Sequence, residues 1–192
     1  MLGCCHVNKV IVMDQNWVQK KFKEHDLQMT VNRIHVCVCR DVVNTDLEDS
    51  DQAFPPLNHW VIFLEIAHDH SVRMNMTPGG GPEGLQGELE ISTKKYMFTD
   101  QTIHRLVFPT RGQPKVEDIV KLINANGLQK YDFCSEWEGC RFWVYTFISH
   151  LKRVGVIESG SAARTNQSIP YYYLNSLERI HRGARKGTFR ST

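Results

Sequence analysis

The length, composition and charge of the chain are those of a folded protein of ordinary size. Its 192 residues are 41% hydrophobic and 10% aromatic, with a formal net charge of +2, which excludes wholesale disorder. No apolar run approaches the about 20 residues that a membrane span needs, and residues 1–6 lack the features of a secretory signal. We therefore expect a cytoplasmic protein with one domain at residues 1–158 and a C-terminal extension at residues 159–192 that carries a basic tail.

The first two thirds of the chain predict a sheet. A short surface helix, capped by Asn16, is predicted at residues 16–27. Apolar runs bounded by turn residues then predict five strands, at residues 31–43, 59–66, 71–77, 87–93 and 103–109. The second and third of these are expected to form a hairpin across residues 67–70. The acidic residues 44–56 predict a loop, and consecutive strands of this kind imply antiparallel pairing.

The hydrophobic period becomes helical after the last of these strands. Residues 115–123 have apolar side chains at helical spacing, and Gly127 is a suitable stop. A second, largely apolar helix is predicted to begin at or near Cys140 and to end near Gly155. Residues 159–168 predict a linker, and residues 175–183 a last short helix before the tail frays. Strands followed by helices give an α+β class, in which we expect the antiparallel sheet to pack on the helix that bears Cys140.

The six cysteines suit a reducing compartment. Cys4 and Cys5 are adjacent, Cys37 and Cys39 are one residue apart, and no C-x-x-C pair occurs. His35, Cys37 and Cys39 are conceivable as metal ligands, but no second ligand pair has the usual spacing, so an alternating strand face is the preferred interpretation. The glycine-rich loop at residues 78–82 lacks the helix start and Lys-Ser/Thr pair of a phosphate-binding motif. We expect neither a metal nor another cofactor.

Cys140 is the first candidate for chemistry. It is predicted at the first turn of a helix, where unpaired backbone N–H groups and the positive end of the helix dipole favour a thiolate. The alternative interpretation is a small core residue, since free cysteine is among the most buried residue types.

His59 is the second candidate, because a thiolate nucleophile needs a neighbouring base and donors for the developing oxyanion. His59 lies at the start of the apolar strand at residues 59–66. A third polar group usually orients such an imidazole, and Asn75 and His70, on or beside the next strand, are the two choices. The alternative is that His59 simply caps a strand.

The sequence around His59 and the sequence around Cys140 both resemble those of a known superfamily. Residues 58–64, Asn-His-Trp-Val-Ile-Phe-Leu, resemble the His-Trp strand of lecithin–retinol acyltransferase-like enzymes, the circularly permuted branch of the NlpC-type, papain-like superfamily. Residues 139–143, Gly-Cys-Arg-Phe-Trp, are similar to the Asn-Cys-Glu-His-Phe-like motif that opens a helix later in that branch. The resemblance covers about residues 55–155 and implies a permuted papain-like fold with a Cys140–His59 dyad. Gly139 replaces the usual Asn, and the missing apolar anchor weakens a phospholipid substrate.

The same blocks are also similar to a fungal group of small domains that we associate with arginine-containing cyclodipeptide synthases. This resemblance implies that an arginyl group and a second aminoacyl group, both delivered on tRNA, are joined through a thioester on Cys140. Glu65 or Glu138 would then hold the arginyl side chain by a bidentate contact. Trp60 and Trp143, within the two blocks, are further candidate substrate contacts.

The basic residues are the candidate tRNA contacts. Five positive charges follow Glu178 without an acid, and two more end the Cys140 helix: Arg179, Arg182, Arg185, Lys186 and Arg190, with Lys152 and Arg153. The alternative is a solvated tail. Two other functions stay open, namely a thiol hydrolase acting on lipid, peptide or isopeptide bonds and a binding module that has lost its chemistry. No obligatory protein partner is evident.

Overall fold

The computed structural model of the chain describes residues 13–40 and 57–191, which form a mixed α+β fold as predicted. The predicted loop at residues 44–56 and the end of the strand predicted at 31–43 lie outside the described residues. The main strands are β1 (Trp17–Gln19), β2 (Arg33–Cys39), β3 (His59–Ala67), β4 (His70–Gly80), β5 (Gln86–Lys94), β6 (Thr102–Pro109) and β7 (Tyr131–Asp132). The helices are α1 (Val116–Ala125), α2 (Cys140–Arg153) and α3 (Ser161–Ser168).

The sheet is mostly antiparallel. The described strands run in the order β10–β7–β5–β4–β3–β2–β6, where β10 is Thr188–Phe189, and β1 pairs with β5 in parallel. The expected hairpin joins β3 and β4, with Glu65 opposite Ser71. The last predicted strand, β6, pairs with β2 and not with its neighbour in sequence. The histidine strand β3 is therefore central, with β2 and β4 on either side of it.

Strand β3 is almost continuously apolar because both of its faces are covered. Trp60, Ile62 and Leu64 are fully buried in the main core, which also contains the inner faces of α1 and α2. Val61 and Phe63, on the other face, belong to a second small core that Phe98 covers. Burial on both faces explains why the strand has few polar positions. One of these is His59, at its open end.

Three predicted elements are wrong in type. Residues 16–27 form β1 and a short 3₁₀-helix (Glu24–Gln28), not an α-helix, because Trp17 is buried and its indole Nε1 donates to Asn124 at 2.9 Å. The predicted linker contains α3, in which the hydroxyls of Thr165 and Ser168 donate to backbone carbonyls of the preceding turn at 3.0 Å each, so two of the polar side chains of the helix can be buried. The last helix, predicted at residues 175–183, is instead the turn and second strand of a hairpin formed by β8 (Tyr171–Tyr173) and β9 (Arg179–His181).

The basic tail does not fray within the described residues. Its strand β10 pairs with β7, and Phe189 packs 4.8 Å from Tyr131 between ring centroids. Asn58, next to His59, exchanges two hydrogen bonds with the backbone of Tyr173, at 3.1 and 2.6 Å. The chain after residue 158 therefore packs around the end of the sheet where His59 lies. No helix among the described residues is long and apolar enough to cross a membrane.

Candidate active site

The start of β3 and the start of α2 meet at one end of the sheet, and this brings Cys140 and His59 together. The two side chains, both half-buried, share a hydrogen bond. The sulfur also accepts a hydrogen bond from the backbone N–H of Trp60 and lies 4.0 Å from the carbonyl oxygen of Asn58. The structure thus places the two candidate catalytic residues in contact.

Asn75 is the third member of this group. It is 5% exposed on β4, and its Oδ1 accepts a hydrogen bond from Nε2–H of His59. This leaves Nδ1 of the imidazole to face Cys140. Asn75 therefore fixes the tautomer in which Nδ1 can accept the proton of Cys140. Of the two orienting residues considered from sequence, the structure brings Asn75 to His59.

His70 lies at the opposite end of the hairpin and does not reach the site. It pairs with Ala67, the last residue of β3, while His59 is the first. Eight steps along a strand separate the two histidines by about 26 Å. Its side chain is half-buried, and a role in orienting His59 is incompatible with this register.

The two catalytic candidates shift each other's proton affinity. Burial opposes the charged form of both groups. The hydrogen bond and the charge of His59 nevertheless lower the pKa of the Cys140 thiol below its ordinary value, with help from the Trp60 N–H and Arg141. Conversely, the hydrogen bond and charge of Cys140, together with Asn75, raise the pKa of His59. Both shifts favour a thiolate–imidazolium pair.

Gly139 shapes the turn that presents Cys140. Its φ of +153° lies in a region that side chains rarely adopt, and a Cβ there would lie 2.7 Å from the Tyr131 hydroxyl. Its carbonyl accepts the first helical hydrogen bond, from the N–H of Trp143 at 2.9 Å. This backbone therefore requires glycine at position 139. No described side chain caps the helix, so the N–H groups of its first turn remain available to a ligand.

A cleft of about 280 Å³ opens over Cys140. Its apolar walls are Leu57, Pro78, Phe133 and Trp137, and its polar lining includes Asn58, Thr77, Glu138 and Arg141, beside His59, Asn75 and Cys140. Glu138, a predicted substrate contact, is therefore in the site. Its Oε2 accepts a hydrogen bond from Arg141 at 2.5 Å. A substrate cation at Glu138 would share its carboxylate with that guanidinium.

Glu65, the other predicted carboxylate, is not in the cleft. It lies six residues along β3 from His59, about 20 Å away. Its carboxylate is 7% exposed, and it binds Arg33 at 2.7 Å and His35 at 2.8 Å. It therefore pairs with two basic side chains of β2, and its position lies outside the cleft in which an arginyl side chain would have to bind.

The two predicted tryptophan contacts are also core residues. Trp60 is fully buried beside Tyr173, so only its backbone N–H reaches the site. Trp143 is 1% exposed and donates its indole N–H to the carbonyl of Leu128 at 2.8 Å. Neither side chain lines the cleft.

Trp137 and Arg141 are among the cleft residues that sequence reasoning did not single out. Trp137 is 50% exposed, has an unusual φ of +59°, and packs so closely that a Cβ on Gly84 would meet its ring at 2.7 Å. Arg141 is 6% exposed and donates to the carbonyls of Ile169 at 3.1 Å and Gly183 at 2.9 Å. A single arginine at the start of an apolar helix could have indicated that Arg141 belongs to the site. Nothing in the sequence indicated that Trp137 does.

The predicted tRNA contacts separate into distinct groups. Lys152 and Arg153 are exposed at the last turn of α2, about 20 Å along the helix from Cys140. Arg185 is close enough to Glu136 for their charges to interact, and the Lys186 ammonium lies 5.4 Å from the Phe142 ring centre. Glu136 and Phe142 are the sequence neighbours of the cleft residues Trp137 and Arg141.

The remaining basic residues contact the protein. Arg179 lies over the Tyr171 ring at 4.1 Å and Arg182 over Tyr172 at 6.0 Å. Arg190 pairs with Asp132 and donates to Asn16 Oδ1 at 2.6 Å, so its guanidinium is already engaged. His35, Cys37 and Cys39 share a buried strand face, and the described residues contain no group of three or more His, Cys, Asp or Glu able to hold a metal ion.

The comparison with protein families places this site within one of them. The family described as "Domain of unknown function (DUF7770)" matches residues 34–190. The chain belongs to the DUF7770 family. The matched region contains the whole of β3, β4 and α2, and with them every residue that lines the cleft of this DUF7770 domain. No curated protein and no solved structure matches the chain.

Proposed function

We propose that this DUF7770 protein is a cysteine-dependent acyltransferase. The observation that carries the proposal is the hydrogen-bonded series Cys140–His59–Asn75 at the start of α2. Cys140 is the nucleophile, His59 exchanges its proton, and Asn75 holds the imidazole. This is the arrangement that nucleophilic catalysis by a thiol requires, with a base in contact with the nucleophile and a third group in contact with the base.

The first half-reaction forms a thioester. The Cys140 sulfur attacks the carbonyl carbon of an acyl donor, and the carbonyl electrons move onto oxygen. Backbone N–H groups at the start of α2 stabilise this oxyanion, and the helix dipole adds to their effect. The bond to the leaving oxygen then breaks, and the imidazolium of His59 gives that oxygen its proton.

The second half-reaction transfers the acyl group. An amine attacks the thioester carbon, neutral His59 takes the amine proton, and the thiolate leaves as the amide forms. The first half-reaction takes a proton from the imidazole of His59 and the second returns one to it, so Asn75 need fix only one ring orientation. If water replaces the amine, the same residues perform hydrolysis.

We also propose a permuted papain-like fold. The support is the order of the functional elements along the chain, namely the histidine strand β3, the asparagine strand β4, and then the cysteine helix α2. Antiparallel pairing of β3 and β4 next to the start of α2 gives the three side chains a rigid frame.

The most specific version of the proposal is cyclodipeptide formation from aminoacyl-tRNA. An arginyl ester acylates Cys140, and the amine of a second aminoacyl-tRNA takes the arginyl group. The free arginyl amine then attacks the second ester, the bond to the ester oxygen breaks, and the second tRNA is released as the ring closes. Glu138 is the carboxylate in the cleft that can receive the arginyl guanidinium. Arg185 and Lys186, near the cleft, support a phosphate-bearing donor.

A product assay tests this proposal. The protein is incubated with arginyl-tRNA and a mixture of other aminoacyl-tRNAs, and mass spectrometry is used to find arginine-containing cyclodipeptides. We expect product from the wild-type protein and none from Cys140→Ala or His59→Ala. Free arginine released in a Cys140-dependent manner would identify a hydrolase. Activity retained in Cys140→Ala would refute the nucleophile. No turnover by the wild-type protein with any donor would instead be the result expected of a binding module.

A further inference from the structure

The C-terminal strap, residues 183–190, is connected to the nucleophile through Tyr131. The hydroxyl of this buried residue of β7 accepts a hydrogen bond from the N–H of Gly187 at 2.8 Å. It donates in turn to the carbonyl of Gly139 at 3.0 Å. Gly139 is the residue that precedes Cys140, so two hydrogen bonds lead from the strap to the start of α2.

The strap is held against Tyr131 by close contacts. A Cβ on Gly187 would clash with the carbonyl oxygen of Asp132 and lie 2.6 Å from the Tyr131 hydroxyl. Arg190 donates to the carbonyl of Tyr131 at 3.1 Å and pairs with the Asp132 carboxylate. At the other end of the strap, Gly183 accepts a hydrogen bond from Arg141 at 2.9 Å. One end of the strap is thus attached to Arg141, the residue after Cys140, and the other to Tyr131, whose hydroxyl contacts Gly139.

The Gly139 carbonyl is the point at which this network acts. It accepts from both the Trp143 N–H and the Tyr131 hydroxyl, at 2.9 and 3.0 Å. These bonds fix the peptide plane between Gly139 and Cys140, and with it the direction of the first helical N–H groups. Burial raises the pKa of Tyr131, so its hydroxyl keeps the proton that it donates.

We propose that Tyr131 is a positioning residue that couples the C-terminal strap to the Cys140 thiolate, so that the nucleophile is activated only when the strap is in place. This rests on Cys140 being the nucleophile proposed above. The groups that face the sulfur include His59 on β3, Cys39 on β2, Arg141 on α2 and Tyr131 itself. A shift of the Gly139 turn changes the distances from the Cys140 sulfur to His59, Cys39 and Arg141 without altering the charges of those three groups.

The test is the rate at which iodoacetamide alkylates Cys140 as a function of pH, measured on the Cys140 peptide by mass spectrometry. Tyr131→Phe removes both hydroxyl contacts and keeps the ring. We expect the midpoint of its profile to move up by about half to one pH unit, and the rate near pH 6.5 to fall about three- to tenfold. Tyr145→Phe is the control, because Tyr145 is a half-buried tyrosine of α2 that does not line the cleft, and it should keep the wild-type profile.

A second variant tests the strap without altering Tyr131. Gly187→Ala displaces the strap by the contacts given above, whereas Gly160→Ala meets no atom within 4 Å and serves as its control. We expect Gly187→Ala to shift the Cys140 profile in the same direction as Tyr131→Phe. If both folded variants keep the wild-type profile and lose only thermal stability, Tyr131 is structural and the inference fails. If wild-type Cys140 itself has an ordinary alkaline profile, the proposed nucleophile fails instead.

Discussion

Nε2–H of His59 donates a hydrogen bond to Oδ1 of Asn75, and this contact joins two neighbouring strands at the mouth of the cleft. Because Asn75 is buried and β3 and β4 are paired, the imidazole cannot turn away without leaving a buried amide unsatisfied. The ring nitrogen that faces Cys140 is therefore set by the sheet and not by the substrate.

Replacement of Asn75 tests this orientation. We expect Asn75→Ala to lower kcat/KM by about 5- to 150-fold, since loss of one buried hydrogen-bond partner costs about 1–3 kcal/mol. His70→Ala is the control, because His70 lies at the far end of the hairpin, and it should stay within twofold of wild type. Equal losses in the two variants would show that Asn75 acts on stability alone.

The pH dependence of thiol reactivity tests the ion pair. The pKa of Cys140 is lowered and that of His59 is raised, because the charged form of each group stabilises the charged form of the other. Alkylation of Cys140 should therefore rise at a lower pH than that of Cys134, whose thiol has a pKa raised by burial. His59→Ala should move the Cys140 midpoint upward. A shared alkaline midpoint for the two cysteines would contradict the pair.

Substitutions of two glutamates separate an effect on substrate recognition from an effect on stability. Glu138→Gln should lower acylation by an arginyl donor, relative to an uncharged aminoacyl donor, by about 10- to 100-fold, the effect of one charge-assisted hydrogen bond. Glu65→Gln should leave the donor ratio unchanged and lower the melting temperature, because Arg33 and His35 lose their buried partner. Donor ratios from competition experiments and thermal melts of both variants give the answer. An unchanged ratio in Glu138→Gln would remove the support for an arginyl side chain in this cleft.

Two pairs of basic residues test the nucleic-acid part of the proposal. Arg185→Gln with Lys186→Gln should weaken tRNA binding and reduce the slope of log affinity against log salt by about 1 for each phosphate that is no longer neutralised. Lys152→Gln with Arg153→Gln makes the same charge change about 20 Å from Cys140. We expect the pair near the cleft to have the larger effect. Wild-type affinity and slope in both double variants would remove the support for a tRNA donor. Removal of the whole tail is a poorer test, since it also breaks the hydrogen bonds of Arg190 and Gly187.

Much of the fold could be predicted because the responsible signals are local. The five long strands and two of the four predicted helices, α1 and α2, appear with boundaries close to those expected from hydrophobic period and glycine stops, including Gly127 and Gly155, both at positive φ. The types of several short elements were predicted wrongly because tertiary contacts determine their conformation. Trp17 enters a strand since its ring is buried, and α3 forms although its sequence is polar.

The site was predictable only where chemistry and position in an element coincide. His59 and Cys140 each begin an element and carry distinctive neighbours. The choice between Asn75 and His70 depends on the register of a hairpin, and the exclusion of Glu65 depends on which end of β3 is open. Contributions such as those of Tyr131, Trp137 and Arg141 come from loop and strap packing, which no periodic pattern encodes.

The central claim is that Cys140 accepts an acyl group, and the mass of the intact protein tests it most directly. The protein is incubated with arginyl-tRNA and with simple acyl thioesters, and the reactions are quenched in acid. Peptide mapping by mass spectrometry then locates any adduct. The account predicts a hydroxylamine-sensitive adduct on the Cys140 peptide that is absent from Cys140→Ala and strongly reduced in His59→Ala. An unmodified Cys140 with every donor, or an adduct that persists in Cys140→Ala, would contradict it.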